Sequence, residues 1–354
     1  MFLRCNRPLQ LGQQVHIPHM ISDMLDPCIS KLPGDVRYIG VCCEGSEKQV
    51  FYLGDEGVAP GKVANTVVSF LHHYLENYGL GEAHAQFHFD NCQGQNKNNA
   101  VLGNAVWRTL TGGHKTIQYS LMLADTKIVC DWHFGFWKNR WRHMDAETVE
   151  EVAFTVAMSS RNGHSIPHIV DGNSKPVSFF HWSTFFKGIF KPLKNILIYH
   201  SFEVSSNEPG IVRVRKFVDA PEEKINILKT CQVDIGVLPE QIFGEGICAE
   251  RQWYLHDVIR DFCRSDNAKN TTCPLPLVAK EGYSKAKKLK LRTLSLCVSA
   301  KSCSLFLATN RLACICASFM FSFTFKKNLS LCYNDKIFMI LGMHGFHGNQ
   351  KKHT

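Results

Sequence analysis

The chain has 354 residues, of which 45% are hydrophobic and 20% are charged, a composition typical of a soluble globular protein with a sizeable core. Its formal net charge is +9, but residues 285–354 contain twelve Lys and Arg against one acid, which gives +11. Residues 1–284 therefore hold 28 basic and 30 acidic side chains, a net charge of −2. This distribution excludes a uniformly basic nucleic-acid-binding body.

Cysteine usage and the N-terminal residues limit the compartment. The fifteen Cys residues include no CxxC pair, so the sequence predicts neither a disulfide framework nor a zinc ribbon. Scattered Cys in a long chain indicates reduced thiols in an intracellular protein. Residues 1–10 contain two Arg and no apolar segment of the length that a secretory signal needs.

The first 165 residues show strand patterns followed by alternating helix and strand patterns. The predicted elements are strands at 13–18, 36–43 and 49–53, a helix at 61–78, a strand at 83–89, a helix at 99–110, a strand at 117–123, and helices at 134–143 and 146–158. Three successive strands predict an antiparallel meander, and strands reached through helices predict a mixed sheet. This α/β element order is that of the ribonuclease H-like fold, which many nucleases, integrases and transposases share.

The remainder of the chain divides into two regions. Residues 166–284 are predicted as strand and loop, with aromatic clusters at 179–182 and 185–186, a hairpin at 207–210 and a short helix at 251–263. Residues 285–354 form a basic tail rich in Cys, Ser and Phe, without a steady period. Its longest uncharged run has 14 residues, fewer than the roughly 20 of a membrane span, so no stable membrane association is expected. A membrane-associating segment is the alternative.

Two aspartates follow predicted strands. Asp90 ends the fourth strand, and Asp131 follows the fifth strand near a helix start. In a ribonuclease H-like sheet, carboxylates at strand ends hold two divalent ions about 4 Å apart. Mg²⁺ or Mn²⁺ at Asp90 and Asp131 is therefore one interpretation. A turn or helix cap at Asp90, and a solvated loop acid or cap at Asp131, are the alternatives.

The first strand should supply a third carboxylate to such a site. Residues 1–22 contain no Asp or Glu. Two acids alone are expected to bind one cation weakly and not to support efficient DNA cleavage. Glu44, Asp55 or Asp125 would complete the site only if the fold brings one of them near Asp90 and Asp131.

A run of amides follows Asp90. The sequence DNCQGQNKNN contains Asn91, Gln93, Gln95, Asn96 and Lys97. Together with the backbone N–H groups of the following helix, such donors can hold a nucleic-acid phosphate. We expect Asn91, Gln95, Asn96 and Lys97 to contact nucleic acid; for Lys97, a solvated helix face is the alternative.

Several runs carry a family resemblance, among them GVCCEG, QVFYLGDE, HFDNCQGQNKNN, TKIVCDWHFGFWK and RQWYLHDVIRDFC. They resemble a transposon-related domain family of unknown function over residues 13–276. The family looks like a ribonuclease H-like, DDE-type transposase core. The resemblance implies that Asp90 is the middle acid and Asp131 the last acid. The first-acid position, three residues before the Gln13–Gln14 pair, is Gln10.

The departures from the family pattern decide the predicted function. A neutral amide at position 10 cannot replace a bridging carboxylate, and Asp125 stands where the family has a His. The chain also begins where the family core begins, without an upstream DNA-binding region. We therefore expect an inactive, domesticated transposase domain that binds DNA, inside the cell and in the nucleus. The alternatives are an active metal-dependent nuclease or transposase, and a protein-interaction scaffold with exposed aromatics at 179–186.

Overall fold

The structure is a computed structural model that describes residues 5–20, 33–61, 63–91, 94–122, 129–217, 219–229 and 236–280. For residues 5–14 and 129 it describes the backbone alone. All of these residues belong to one of two compact units of the chain, Met1–Lys280. The basic tail at 285–354 lies outside the described residues.

The first half of the described chain begins with three strands, continues with alternating helices and strands, and ends with two helices. Its elements are β1 (Cys5–Ile17), β2 (Gly34–Cys43), β3 (Lys48–Asp55), α1 (Ala64–Asn77), β4 (His84–Asp90), α2 (Asn99–Leu110), β5 (Thr116–Met122), α3 (Val129–Trp141) and α4 (Val149–Ala157). The second half has shorter elements. They are β6 (Ser165–Ile169), β7 (Phe179–Phe180), α5 (Trp182–Ile189), β8 (Ser201–Ser205), β9 (Ile211–Arg215), β10 (Glu223–Asn226), β11 (Gln241–Ile242), α6 (Ala249–Tyr254) and α7 (Asp266–Thr271).

Nine of these strands form one mixed sheet in the order β10-β9-β8-β5-β4-β1-β2-β3-β6, and β11 pairs with β7 separately. The strands β1, β2 and β3 form the antiparallel meander that the sequence predicts. β4 runs parallel to β1, and β5 runs parallel to β4. β6 extends the β3 edge in parallel, while β8, β9 and β10 extend the β5 edge antiparallel. The prediction of a mixed α/β sheet flanked by helices is confirmed.

Helices cover both faces of the sheet because the strands alternate. In β4, Ala85, Phe87 and Phe89 are buried in the larger core with α1, α2 and α5, and the residues between them are half-buried. The opposite face buries a smaller core against α3 and α4. There Tyr38 and Phe51 each contact Phe134 and Trp137, with ring centroids 4.6 to 5.6 Å apart. This aromatic contact fixes α3 on the sheet.

The structure corrects the prediction for residues 179–186. These aromatics are not exposed: Phe179, Trp182 and Phe186 are buried in the larger core. Residues 182–189 form helix α5 where strand and loop are predicted. The indole Nε1 of Trp182 donates to Ser69 Oγ at 3.1 Å. Gly103 of α2 lets Phe186 approach closely, since a β-carbon there would lie 2.9 Å from the Phe186 ring.

Two elements in the second half agree with the sequence, and two in the first half differ. β1 begins at Cys5, eight residues before its predicted start. A turn at 206–210 joins β8 to β9, where the hairpin is predicted. α6 continues through a π-helical turn and a 3-10 turn to Phe262, which covers the predicted helix at 251–263. α3 begins at Val129, five residues before its predicted start, so Asp131 lies inside a helix.

Asp55 at the end of β3 makes stability depend on pH. Burial, followed by the negative charges of Asp171, Glu150 and Glu56, raises the pKa of the Asp55 carboxyl from 3.8 to about 7. A carboxyl whose pKa is raised in the folded state stabilises that state at low pH, and this contribution is lost as pH rises through the folded pKa. We expect Asp55→Asn to stabilise the protein more at about pH 8 than at about pH 4. Urea unfolding at both pH values checks this; an equal effect at both would contradict it.

Candidate functional site

The end of β4 brings Asp90 beside the first strand. The pairing of β1 with β4 ends with Leu9 opposite Phe89, so position 10 and Asp90 are the next residues of two adjacent parallel strands. On its other side, position 10 pairs with Gly40 of β2. The register therefore places the backbone of Gln10 next to Asp90. The side chain of Gln10 lies outside the described residues.

Helix α3 connects Asp131 to the same segment of the sheet. Asp131 is half-buried in the first turn of α3. The preceding residue, Cys130, is fully buried, and its thiol donates to the backbone oxygen of Gly40 at 3.6 Å. Gly40 is the partner of position 10. Backbone pairing and one side-chain contact thus bring positions 10, 90 and 131 to one part of the molecule.

Gly40 allows this close approach. A β-carbon at position 40 would lie 2.4 Å from Cζ of Phe134 and 2.7 Å from Nε2 of Gln49. The Gln49 side chain is fully buried, and among the side chains that the structure describes neither its Nε2 nor its Oε1 has a hydrogen-bond partner. Sequence analysis missed both residues. A glycine between β-branched and aromatic residues in RYIGVCC was the available signal for the first.

The amides after Asp90 build the loop that leads to α2. Asn96 Nδ2 donates to the backbone oxygen of Asp90 at 3.0 Å and ties the loop to the strand end. Asn98 Oδ1 accepts from the backbone N–H groups of Ala100 and Val101, each at 3.0 Å, and so caps α2. Asn98 Nδ2 also donates to the backbone oxygen of Gln95 at 2.9 Å. Much of this polar run is therefore local architecture.

The burial of two loop residues differs from the expected open phosphate site. Asn96 and Lys97 are only 2% and 3% exposed. Lys97 lines a small, mostly apolar cavity with Phe89 and Tyr119, and burial lowers the pKa of its ammonium group. Asn91 and Gln95 are half-buried and keep part of their surface, while Gln93 lies outside the described residues. The predicted contacts to nucleic acid are better matched by Asn91 and Gln95.

The alternative acids lie at different levels of the sheet. Asp55 pairs with Val36, which lies four residues along β2 from Gly40, the partner of position 10, a separation of roughly 13 Å at 3.3 Å per residue. Glu44 follows β2 four residues after Gly40, so it lies beyond the level of position 10 on the side opposite to Asp55. Asp125 lies outside the described residues.

The described donors do not fit a two-metal centre. Position 10 supplies an amide instead of a carboxylate. Among the residues that the structure describes, no group of three or more His, Cys, Asp or Glu side chains is arranged to hold a metal ion. Asp90 and Asp131 are thus the two acids available in this region for a single hard cation.

The basic side chains near the sheet fall into two sets. On β9, Arg213 and Arg215 are neutralised by carboxylates. Arg213 Nη2 lies 2.7 Å from Glu208 Oε2, and Arg215 Nη2 lies 2.6 Å from Glu222 Oε2. These two arginines are thus committed to ion pairs.

At the C-terminal end of α3 the cations are unpaired. Arg140 and Arg142 are exposed, and within the described ranges neither has a carboxylate partner, although Arg140 Nε donates to Met144 Sδ at 3.2 Å. Lys138 is half-buried, and burial, followed by the positive charge of Arg142, lowers its pKa, while Asp131 raises it. The free positive charge of this region is therefore on the helix that carries Asp131.

Comparison of the chain with protein-family models, with curated proteins and with solved structures found no match. In the part of the chain that the structure describes, no helix has the length and apolar character to cross a membrane. Strand order, register and surface charge are therefore the observations that bear on function.

We predict that Gly40→Ala destabilises the protein by about 1–3 kcal/mol, because the added methyl group collides with Phe134 and pushes α3 from the sheet. Gly45→Ala is the matched control, since a β-carbon at this exposed turn position meets no atom within 4 Å. Urea unfolding of both variants gives the comparison. Equal stability of the two variants would show that α3 does not depend on Gly40.

Proposed function

We propose that this chain is a transposase-derived, ribonuclease H-like domain that binds nucleic acid and has lost strand-cleaving activity. The observation that carries the proposal is the strand order β3-β2-β1-β4-β5, with β2 antiparallel to the other four. A three-strand meander followed by two helical crossovers produces this arrangement. It supports the resemblance of the sequence to a DDE-type transposase core.

The arrangement around Gly40 supports the assignment of the three acid positions. The register sets position 10 beside Asp90, and Cys130 anchors the first turn of α3 over the same strand pair. The amide of Gln10 carries no charge, so it cannot bridge two divalent ions as a carboxylate does. The inactivity in the proposal follows from this substitution. We limit the metal proposal to weak binding of one Mg²⁺ or Mn²⁺ by Asp90 and Asp131.

The unpaired cations of α3 supply the nucleic-acid surface. Binding to DNA without sequence preference depends on neutralising phosphates with Lys and Arg. Arg140 and Arg142 are free for this, whereas Arg213 and Arg215 are held by glutamates. Asn91 and Gln95 add neutral donors near Asp90, while Asn96 ties the loop to the strand end and Lys97 is buried. DNA as the partner makes the nucleus the expected location.

An active metal-dependent nuclease or transposase is the alternative, with Glu44 in place of the first-strand carboxylate. Glu44 lies in the turn after β2, four residues from Gly40, so its side chain would have to reach back along the sheet toward Asp90. The scaffold alternative loses one of its two supports, the exposed aromatics, because Phe179, Trp182 and Phe186 are buried, and keeps the other, the nearly neutral charge of residues 1–284.

The nucleic-acid proposal predicts a specific change in salt dependence. The measurement uses the full chain, whose tail is itself basic. In a plot of log K against log salt for a duplex oligonucleotide, the slope for Arg140→Gln/Arg142→Gln should be smaller in magnitude than the wild-type slope by about two, roughly one per lost phosphate contact. Arg213→Gln/Arg215→Gln is the matched control and should keep the wild-type slope. Unchanged slopes in both variants would refute binding through α3.

The metal proposal predicts that the missing carboxylate limits the site. Wild type should bind Mn²⁺ weakly by calorimetric titration, Asp90→Asn more weakly, and Gln10→Asp more tightly, because carboxylates are the ligands that Mn²⁺ prefers. Gln10→Asn controls for packing. Identical binding by wild type and Asp90→Asn would remove Asp90 from the site. Cleavage of a labelled duplex by wild type, abolished by Glu44→Gln, would establish the active alternative instead.

A further inference from the structure

The solvent face of α3 carries two aromatic side chains in line. Trp132 is 65% exposed and Phe136 is 62% exposed. Residues four apart on a helix are neighbours on its surface, about 6 Å apart at their β-carbons. The opposite face of the helix buries Phe134 and Trp137 in the smaller core. Both faces of α3 are therefore aromatic, and one of them is open.

An arginine continues this line. Arg140 follows Phe136 by four residues, so Trp132, Phe136 and Arg140 form one row along the helix, here called the α3 stripe. The exposed residues beside it, Gly135 and Asn139, are small and leave the rings accessible. Over eight residues the row is about 12 Å long at 1.5 Å per residue.

Exposed apolar residues are common, so the aromatics alone would not indicate a ligand. Phe154 of α4, for example, is 58% exposed without a comparable neighbourhood. The α3 stripe differs because unpaired cations lie at its end. Between residues 129 and 143 there are three Lys or Arg and one acid, a net charge of +2. Aromatic surface beside unpaired positive charge is complementary to a polyanion with flat apolar groups.

We propose that the α3 stripe binds single-stranded nucleic acid, with one base stacked on Trp132, a second on Phe136, and phosphates held by Arg140 and Arg142. This inference rests on the proposed function and specifies its substrate class. Aromatic platforms beside a basic track are how proteins hold single strands, since the base faces are accessible there and are covered in a duplex. A strand bound this way begins next to Asp131, which precedes Trp132 directly, and runs away from the candidate site.

A second copy of the chain fits the stripe less well. In a two-fold interface the same patch meets itself, so Arg140 and Arg142 of one copy would approach those of the other. Like charges at close range repel, and the two described acids nearest to them in the sequence do not offset them: Asp131 is half-buried, and Asp145 pairs with Arg264 at 3.2 Å.

The test measures fluorescence anisotropy of an oligo-dT single strand and of a hairpin duplex of equal length, with the full chain. Trp132→Ala and Phe136→Ala should each weaken single-strand binding about tenfold and leave duplex binding unchanged, while Trp132→Phe retains most of the affinity. Phe154→Ala is the matched control, an exposed aromatic without adjacent free cations, and should behave as wild type. Thermal unfolding confirms that the exposed substitutions leave the fold intact.

The outcomes separate this inference from the proposed function. If the alanine variants bind the single strand as wild type does, while Arg140→Gln/Arg142→Gln weakens duplex binding, the stripe is wrong and the proposed function stands. If substitutions in α3 leave the salt dependence of binding unchanged for both oligonucleotides, the inference and the proposed function are both wrong. A concentration-dependent dimer of wild type, lost in Trp132→Ala by analytical ultracentrifugation, would assign the stripe to self-association and overturn the inference.

Discussion

The packing of α3 onto Gly40 of β2 is the contact on which the candidate site depends. The absence of a side chain at position 40 admits the Phe134 ring, and the Cys130 thiol reaches the Gly40 backbone oxygen. These contacts set the first turn of α3, and with it Asp131, over the strand pair that contains position 10. They also fix the direction of the helix, so the unpaired arginines at its far end lie on the same side of the sheet as the site.

The polar run after Asp90 contains side chains that stabilise the loop and side chains that do not. Asn96 and Asn98 form hydrogen bonds that a loop between a strand and a helix needs, and Lys97 is buried beside them. Within the described residues, the buried Oδ1 atoms of Asn91 and Asn96 have no hydrogen-bond partner, which is uncommon for amides in a folded protein. The segment therefore does not only cap α2, although Asn96 and Asn98 form hydrogen bonds to the backbone that stabilise the loop.

The sequence predicted most of the first half of the fold well because most elements there have a clear period and a clear stop; the exception is β1, whose residues 5–12 were not predicted as strand. α2 has the predicted bounds, and β4 ends at the aspartate that ends its alternating pattern. It missed α5, although Trp182, Phe185, Phe186 and Ile189 have helical spacing, because the aromatic cluster suggested strands. It started α3 too late because TKIVCDWHF lacks a cap signal. Register was beyond prediction, since a bulge between Leu11 and Gln13 shifts β1 against β2.

The ion pairs of β9 could not be predicted from the sequence either. Arg213 and Arg215 resemble free cations in the sequence, and only strand pairing brings Glu208 and Glu222 to them.

The central claim, that positions 10, 90 and 131 form one ancestral metal site, is tested most directly by anomalous diffraction from Gln10→Asp crystals grown with Mn²⁺. A manganese peak between the new carboxylate and that of Asp90 is the predicted result. A peak elsewhere, with Asp90 and Asp131 on opposite faces of the sheet, would contradict the account.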